Sequence, residues 1–399
     1  MDATTVHDVD TLSTRRATLQ AKHAEQLRQV EQAQDQLAGA HQALADLEAE
    51  LVRLAQQQVA TLDLTTTPAG QPAQASLILN PASKSFLEGS HSPEEILAAL
   101  RAVGIVPQLA LTTPDVSARQ LARHAVDEGA TLVIAAGGDG TIEEVATALI
   151  HRPATLGILP LGTMNNLARA LGIPLALADA ALLLAIGATR HIDVGRVVTP
   201  DDRREGYFLE TAGIGLSALA APMGEDVEKG RWSEFFSKLG DFFAFTSTRV
   251  TVTYDEHETA RQAQTNMVTI SNGPLFGNNM LIAPNAKIDD GLLDVAVYEG
   301  MELVDLTRYF LGITNGGRVN DMRVYSRPVR RVRITADAPL PVNADLDVLA
   351  GQHTWQIEVV PRALSVIVGN GPALTLPVVA APVTPPLAGP QPPQPADTL

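Results

Sequence analysis

Gly137-Gly138-Asp139-Gly140-Thr141 stands between an apolar run, Thr131 to Ala136, and a helical pattern from Ile142 to Ile150. A strand, a glycine turn and a helix start in that order aim main-chain N–H groups and a helix N-terminus at an anion, most often a phosphate. Asp139 complicates this, because a bare carboxylate repels phosphates. Either a cation sits between them, or Asp139 holds the loop's own backbone in shape. A second glycine turn, Pro160-Leu161-Gly162-Thr163-Met164-Asn165-Asn166, closes the next strand and opens another helix, with Thr163 or Asn165 suited to the N-cap. Both turns fall at the carboxyl edge of one sheet, where ligands of open parallel sheets bind. So does Asn80-Pro81-Ala82-Ser83-Lys84, which offers an amide and Ser83 to a nucleotide or is an ordinary turn.

Acidic residues make the second set. Asp289-Asp290-Gly291-Leu292-Leu293-Asp294 follows Ser271-Asn272-Gly273 and Gly277-Asn278-Asn279-Met280. Adjacent carboxylates before a tight glycine turn suit a hard cation, with carbonyls as further ligands; a plain hairpin turn is the alternative. In Asn343-Ala344-Asp345-Leu346-Asp347 the two acids are two apart, so on a strand both point to one face. If that face looks into a cleft, one accepts a proton while the other orients a metal or substrate. Otherwise they are a solvated strand face.

These residues need a scaffold. From 76 to 194, apolar runs (Leu77–Leu79, Val106–Leu111, Leu132–Ala136, Thr155–Leu159) alternate with helical patterns near Pro93–Ala102, Ser117–Glu128, Ile142–Leu149, Asn165–Leu171 and Leu175–Ile186. That alternation predicts a parallel α/β domain. From 195 to 376 strand patterns dominate: Gly206–Ala212, Arg249–Tyr254, Met267–Asn272, Leu292–Tyr298, Val329–Thr335, Pro341–Leu346, Thr354–Pro361 and Leu364–Val368. They predict a mostly antiparallel β domain, and the cleft between the two is the default ligand site. Before them, residues 1–64 read as a helical extension. Val30, Leu37, Leu44 and Leu51 recur every seven, with Ala33, Ala40, Leu47 and Leu54 offset by three. Such a coiled-coil seam pairs with a second copy of the chain, giving a homodimer, or folds onto the body. Residues 65–75 read as a linker and 377–399, rich in proline, as a disordered tail.

Composition narrows the function classes. The 399 residues suffice for two or three domains, and the 45% hydrophobic content is ordinary for a globular chain. Mean hydropathy is +0.07. The apolar stretch Ile173 to Ala188 is broken by Asp179 and too short to cross a bilayer, so no transmembrane segment is expected. The start, Met1-Asp2-Ala3-Thr4, lacks the basic and apolar parts of a secretion signal, and no cysteine is present, which fits a cytoplasmic, reducing compartment. A net charge of −16 argues against nucleic acid and against broad attachment to anionic lipid. Any peripheral membrane contact must therefore be apolar and local. Trp232, Phe235, Phe236, Leu239, Phe242, Phe243 and Phe245 offer one such surface, or a core.

In this order the pieces resemble the diacylglycerol kinase catalytic-domain family, which includes bacterial lipid kinases and the sphingosine and ceramide kinases. The resemblance covers about Leu77 to Val368. It rests on Asn80-Pro81, Gly137 to Thr141, Gly162 through Arg169, Asp193-Val194-Gly195, and above all Ser271-Asn272-Gly273 through Val295. NAD kinases and phosphofructokinases share the first glycine turn but not that later stretch. The resemblance implies a Rossmann-like, NAD kinase-like nucleotide domain, a C-terminal β-sandwich and ATP-dependent phosphorylation of a lipid hydroxyl at a membrane surface. It implies that Gly138, Asp139, Gly140, Thr141, Ile142, Glu143 and Glu144 wrap the ATP phosphates, with Asn80, Thr112, Thr163 and Asn166 completing the nucleotide site. Thr113 is the alternative to Thr112. Magnesium would take oxygens from Asp290 and the main chains of Lys287 and Leu292. The family's proton acceptor, a Glu in an Asp-Gly-Glu turn, corresponds to Asp347, with Asp345 beside it.

Three departures bear on function. Asp-Gly-Glu has become Asp345-Leu346-Asp347, which shortens the base. An acid expected after Gly-Thr-x-Asn is Asn166, and the Asn that commonly follows Gly-Thr-Ile is Glu143. The leading expectation is an ATP- and Mg2+-dependent lipid kinase. Its rivals are a nucleotide-binding regulatory protein of the same fold that has lost phosphotransfer, and a kinase for a soluble hydroxyl compound.

Overall fold

The structure is a computed structural model. It describes residues 75–81, 83, 91–200, 204–219, 245–255, 260, 261–277, 280–313, 319–345 and 347–369, with six isolated helical positions between 22 and 50. The heptad seam, the linker, the proline-rich tail and the aromatic run from Trp232 to Phe243 thus lie outside the described residues.

Four strands, β1 (Ala75–Leu79), β2 (Gln108–Leu111), β3 (Leu132–Gly137) and β4 (Thr155–Pro160), pair in parallel in the order β4-β3-β1-β2. Helices α1 (Pro93–Ala102), α2 (Ala118–Asp127), α3 (Asp139–Leu149), α4 (Asn166–Ala170) and α5 (Leu177–Ile186) connect and cover them. Their starts are written in the sequence. Ser92 with Glu95, and Ser117 with Gln120, form reciprocal capping boxes, and Pro93 fits a first turn that needs no N–H. The strands are apolar on both faces because helices cover both. Leu77, Ile78, Val133 and Ile134 are fully buried, each stabilising the fold by roughly 1.5–3 kcal/mol.

The remaining strands are β5 (Ala188–Thr199), β6 (Arg204–Phe208), β7 (Thr211–Gly215), β8 (Thr248–Tyr254), β9 (Arg261–Ser271), β10 (Leu275–Phe276), β11 (Met280–Leu281), β12 (Leu293–Glu299), β13 (Val324–Val329), β14 (Arg331–Ala344) and β15 (Asp347–Val368). Helix α6 (Leu303–Ile313) follows β12. β9 and β14 each pair antiparallel with β7 along one half and with β8 along the other. The sheet therefore curls around a second core that includes Phe208, Val252, Ile270, Val295, Trp355 and Ile357. A third cluster, with Met267, Tyr298, Leu306 and Tyr309, lies under α6.

Several sequence-derived boundaries are corrected. Gly206–Ala212 is not one strand, because the chain bends at Leu209-Glu210 between β6 and β7. Val329–Thr335 and Pro341–Leu346 belong almost wholly to β14, whose register shifts between Thr335 and Leu340. Thr354–Pro361 and Leu364–Val368 are one strand, β15, with a bulge between Val360 and Leu364. A bulge adds a residue without ending the ladder, so it looks like a turn in a sequence. β15 also runs on into the first half. Its Val366 pairs parallel with Leu156 of β4, and Leu364, Val366 and Val368 join the first core. β5 passes straight through residues 194–195. Thirteen of the described strands thus make one continuous sheet.

Candidate active site

The two glycine turns meet. A Cβ built on Gly162 would lie 2.4 Å from the Gly138 Cα, and one on Gly138 would lie 3.3 Å from the Gly162 Cα. Only glycine at 162 permits this backbone approach. The first turn ends β3 and opens α3, with Gly138 as N-cap and no side-chain cap hydrogen bond. Main-chain donors of that first turn are therefore not covered by a capping side chain.

Asp139 resolves the alternative posed by the sequence. Its Oδ2 accepts from the Asn165 N–H at 2.8 Å and its Oδ1 from the Asn166 N–H at 2.8 Å. The carboxylate thus clamps the second glycine turn to the first. Asn165 is the N-cap residue of α4, in a left-handed conformation (φ 51°). It does not cap with its side chain. Its Oδ1 accepts from the Gly162 N–H at 3.0 Å and its Nδ2 donates to the Gly162 carbonyl at 2.7 Å, so the turn closes on itself. Thr163, by contrast, is exposed at the tip.

Asn80 follows β1 and reaches both neighbours. Its Nδ2 donates to Thr141 Oγ1 at 3.3 Å, and its Oδ1 accepts from Thr112 Oγ1 at 3.2 Å. The neighbouring Thr113 instead accepts from the Val116 N–H, so of the two threonines it is Thr112 that joins Asn80. Ser83 Oγ is buried with no partner among the described residues. Ile142 is buried in the core, Glu143 is buried, and Glu144 accepts the Arg119 N–H at the start of α2. Asn80, Thr112, Gly138, Asp139, Thr141, Gly162 and Asn166 therefore form one connected edge, with Glu144 directed to a neighbouring helix.

The acidic pair does not share one strand face. Ala344 pairs with Asp347 across a two-residue turn, and Asp345 adopts φ 48° at its first position. Aspartate tolerates this conformation better than most residues. The reason it is adopted lies in the partners: the Asp345 carboxylate accepts main-chain N–H groups of Leu209 (2.5 Å), Glu210 (3.0 Å) and Thr211 (2.9 Å). It fixes the bend between β6 and β7. Burial pushes its carboxyl up to about 6, against the pull of those three donors, with Asp139 adding to the rise. Asp347 opens β15 directly after the turn.

That bend supplies a residue the sequence reading missed. Glu210 Oε2 accepts from Asn166 Nδ2 at 3.2 Å, and the same amide donates to the Gly277 carbonyl at 2.8 Å. Burial, then Asp139, then Asp345 hold the Glu210 carboxyl well above its usual range, while Asn166 and the Leu167 N–H oppose the rise. The signal was its position. Glu210 is the one charged residue in Tyr207 to Leu219, where β7 and its neighbours are otherwise small or apolar.

The Asp289-Asp290-Gly291 turn is tied to the same frame. Asp193, 1% exposed, accepts the Gly291 N–H at 2.6 Å and the Arg362 N–H at 2.8 Å. Asn272 Nδ2 donates to the carbonyls of Asp193 (3.0 Å) and Leu209 (2.9 Å), linking this turn to the Glu210 bend. Gly291 needs its φ of 75°, and Asp290 is exposed. Burial, with Asp193 and Asp289 nearby, raises the Asp290 carboxyl. Among the described residues no three acidic or histidine side chains converge on a metal position. No helix among them is long and apolar enough to cross a membrane.

The chain is similar to known proteins over most of its length. Residues 74–197 match the family described as diacylglycerol kinase catalytic domain, and residues 212–368 match the YegS C-terminal NAD kinase beta sandwich-like domain. The chain is 29% identical to the diacylglycerol kinase of Bacillus subtilis (strain 168), over 68% of this chain and 89% of that protein. It is 31% identical to a probable lipid kinase YegS-like of Klebsiella pneumoniae (strain 342), over 71% of this chain and 95% of that one. A solved structure of a diacylglycerol kinase from Bacillus anthracis str. Sterne shares the fold, with TM-score 0.58 and 22% identity over 75% of this chain and 97% of that chain. With its paired glycine turns, its β-sandwich half and these relatives, the chain belongs to the diacylglycerol kinase catalytic-domain family.

Proposed function

We propose that the protein is a lipid kinase that moves the γ-phosphoryl group of ATP to a hydroxyl of diacylglycerol or a related lipid at a membrane surface. The observation that carries this reading is the contact between the two glycine turns. Asp139 draws its charge into the clamp on Asn165 and Asn166, while the N-terminus of α3 stays without a side-chain cap. A helix start of that kind takes phosphate. Thr141, steadied by Asn80, lies at the same edge and fits a phosphate oxygen.

A magnesium ion fits the Asp290 turn. Asp290 is an exposed carboxylate near Asp193 and Asp289, with Lys287 offsetting part of their repulsion, and a cation would relieve the rest. The main-chain carbonyls of Lys287 and Leu292 would complete its protein ligands, with water filling the rest. When bound, such an ion would neutralise charge on the acidic turn and steady it. The chain's own residues do the positioning. Asp345 holds the bend of 209–211 and fixes the start of β15, where Asp347 takes the proton from the lipid hydroxyl as it attacks. Phosphoryl transfer asks for little more than alignment and charge stabilisation.

Transfer of label from ATP to diacylglycerol in mixed micelles tests the reading, with monoacylglycerol, sphingosine and phosphatidylglycerol as rival acceptors. Asp347→Asn is expected to lower kcat by about 100-fold, within the range seen for removal of a general base, while leaving thermal stabilisation by ATP intact. Full activity in that variant removes Asp347 from the chemistry. A native protein that binds ATP and labels no hydroxylated lipid removes the kinase.

A further inference from the structure

Glu210 stands where the two halves of the site meet through side chains, beside the Asn166 link to Gly277. On one side, its carboxylate takes the Asn166 amide at 3.2 Å, at the start of α4. That residue continues the turn that Asp139 clamps to the phosphate loop. On the other side, the Glu210 main-chain N–H is held by Asp345. Position 166 carries an amide, whose Nδ2 is a donor and needs acceptors opposite it. Glu210 Oε2 and the Gly277 carbonyl supply them from the β-rich half.

We propose that Glu210 is a positioning residue for phosphoryl transfer, setting the acidic turn of 345–347 against the phosphate loop. The inference rests on the kinase reading. In its ionised form Glu210 accepts the Asn166 amide by a charge-assisted bond, and the link is strongest. Protonation leaves a neutral, weaker acceptor and loosens the link. The charged groups facing it are Asp139 from the start of α3 and Asp345 from the β14–β15 turn, both acidic. Arg169, on the same helix, points its Nε to the Met164 carbonyl instead. The link is therefore assembled against repulsion.

That cost gives the proposal a signature. A carboxyl whose value is raised on folding favours the folded state below its unfolded value, and that benefit is lost as pH rises through the folded one. Glu210→Gln keeps the shape and removes the charge. It should be at least as stable as the native chain at about pH 8 and no more stable at about pH 4, near the ordinary carboxyl range. Its kcat should nonetheless fall at least about tenfold, since a neutral amide holds the Asn166 donor more weakly and alignment is lost. The acidic limb of the native kcat profile should flatten in this variant. Glu210→Asp, charged but shorter, should lose rate and keep the limb.

The experiment measures kcat, KM for ATP and thermal midpoint of the full chain and both variants from about pH 4 to pH 8.5, with diacylglycerol micelles as acceptor. A glutamine variant with native kcat throughout overturns the proposal. So does one whose lost rate is matched by lost stability at high pH, because that marks a merely structural link. If the native chain phosphorylates no lipid, the kinase reading itself fails and the positioning role falls with it.

Discussion

Gly162→Ala should lower phosphoryl transfer by about 100-fold, because displacing aligned groups by about 1 Å costs that much. The added methyl would stand 2.4 Å from the Gly138 Cα and 3.0 Å from Asn165 Oδ1. The first of these is backbone and has no rotamer with which to yield. The turns must separate, and the Asp139 clamp with them. Stability should fall by about 1–3 kcal/mol, the usual range for overpacking. Gly351→Ala, whose new methyl meets nothing closer than 3.7 Å, is the control and should keep native kcat. Steady-state kinetics beside urea denaturation separates the two effects. A Gly162→Ala enzyme with native kcat would mean that the paired turns do not hold the phosphates.

The second large effect is expected at Asp345. Alanine there removes the acceptor of three main-chain N–H groups at once. Unsatisfied donors cost about 1–3 kcal/mol each when buried. Leu209 and Thr211 are buried and Glu210 partly so, and the bend can relax, so a loss of roughly 3 kcal/mol or more in all is expected. Kinase activity should vanish, since the bend carrying Glu210 and the start of β15 lose their common anchor. The effect has a pH dependence. The Asp345 carboxyl sits at about 6 in the fold, above its ordinary value. Its titration therefore favours the native chain most at low pH, and the benefit is lost as pH rises through about 6. The stability gap between native and Asp345→Ala should narrow across that window. A gap that widens there would mean that the carboxyl is not raised.

Much of this was legible beforehand, for reasons that differ by element. Strands β1, β3 and β4 are short apolar runs between turn residues, and α1 begins at Ser92-Pro93 with a capping acid three residues on. Local signals of that kind do not depend on the rest of the chain. The two glycine turns were also visible, because strand, glycine and helix start occur in fixed order. What could not be read was partnership. Arg362 has a φ of 55° and its N–H goes to Asp193, 169 residues earlier. From sequence, Pro361-Arg362-Ala363 looks like the end of a strand. β5 was missed for the opposite reason: Thr189, Arg190 and His191 look like loop, yet they pair with Ser365 to Ile367 of β15. Helix α6 was missed although Leu306, Tyr309 and Ile313 keep helical spacing, because Thr307 and Gly312 weaken the pattern. Asp345 and Glu210 share this lesson. An acid amid strand-forming residues reads as solvated until the donors that hold it are known.

The strand from Asp347 to Val368 runs alongside β5 from Gln356 to its end and then lies against β4. A tear between the lobes would have to rip that ladder, so they cannot swing like two plates on a pin. Any closing over bound ATP must come from elastic bowing where the ladder is already irregular, near Arg362 and between Thr335 and Leu340. For the same reason the lobes should melt together, in a single calorimetric transition, and clipping the chain after β5 should leave them joined.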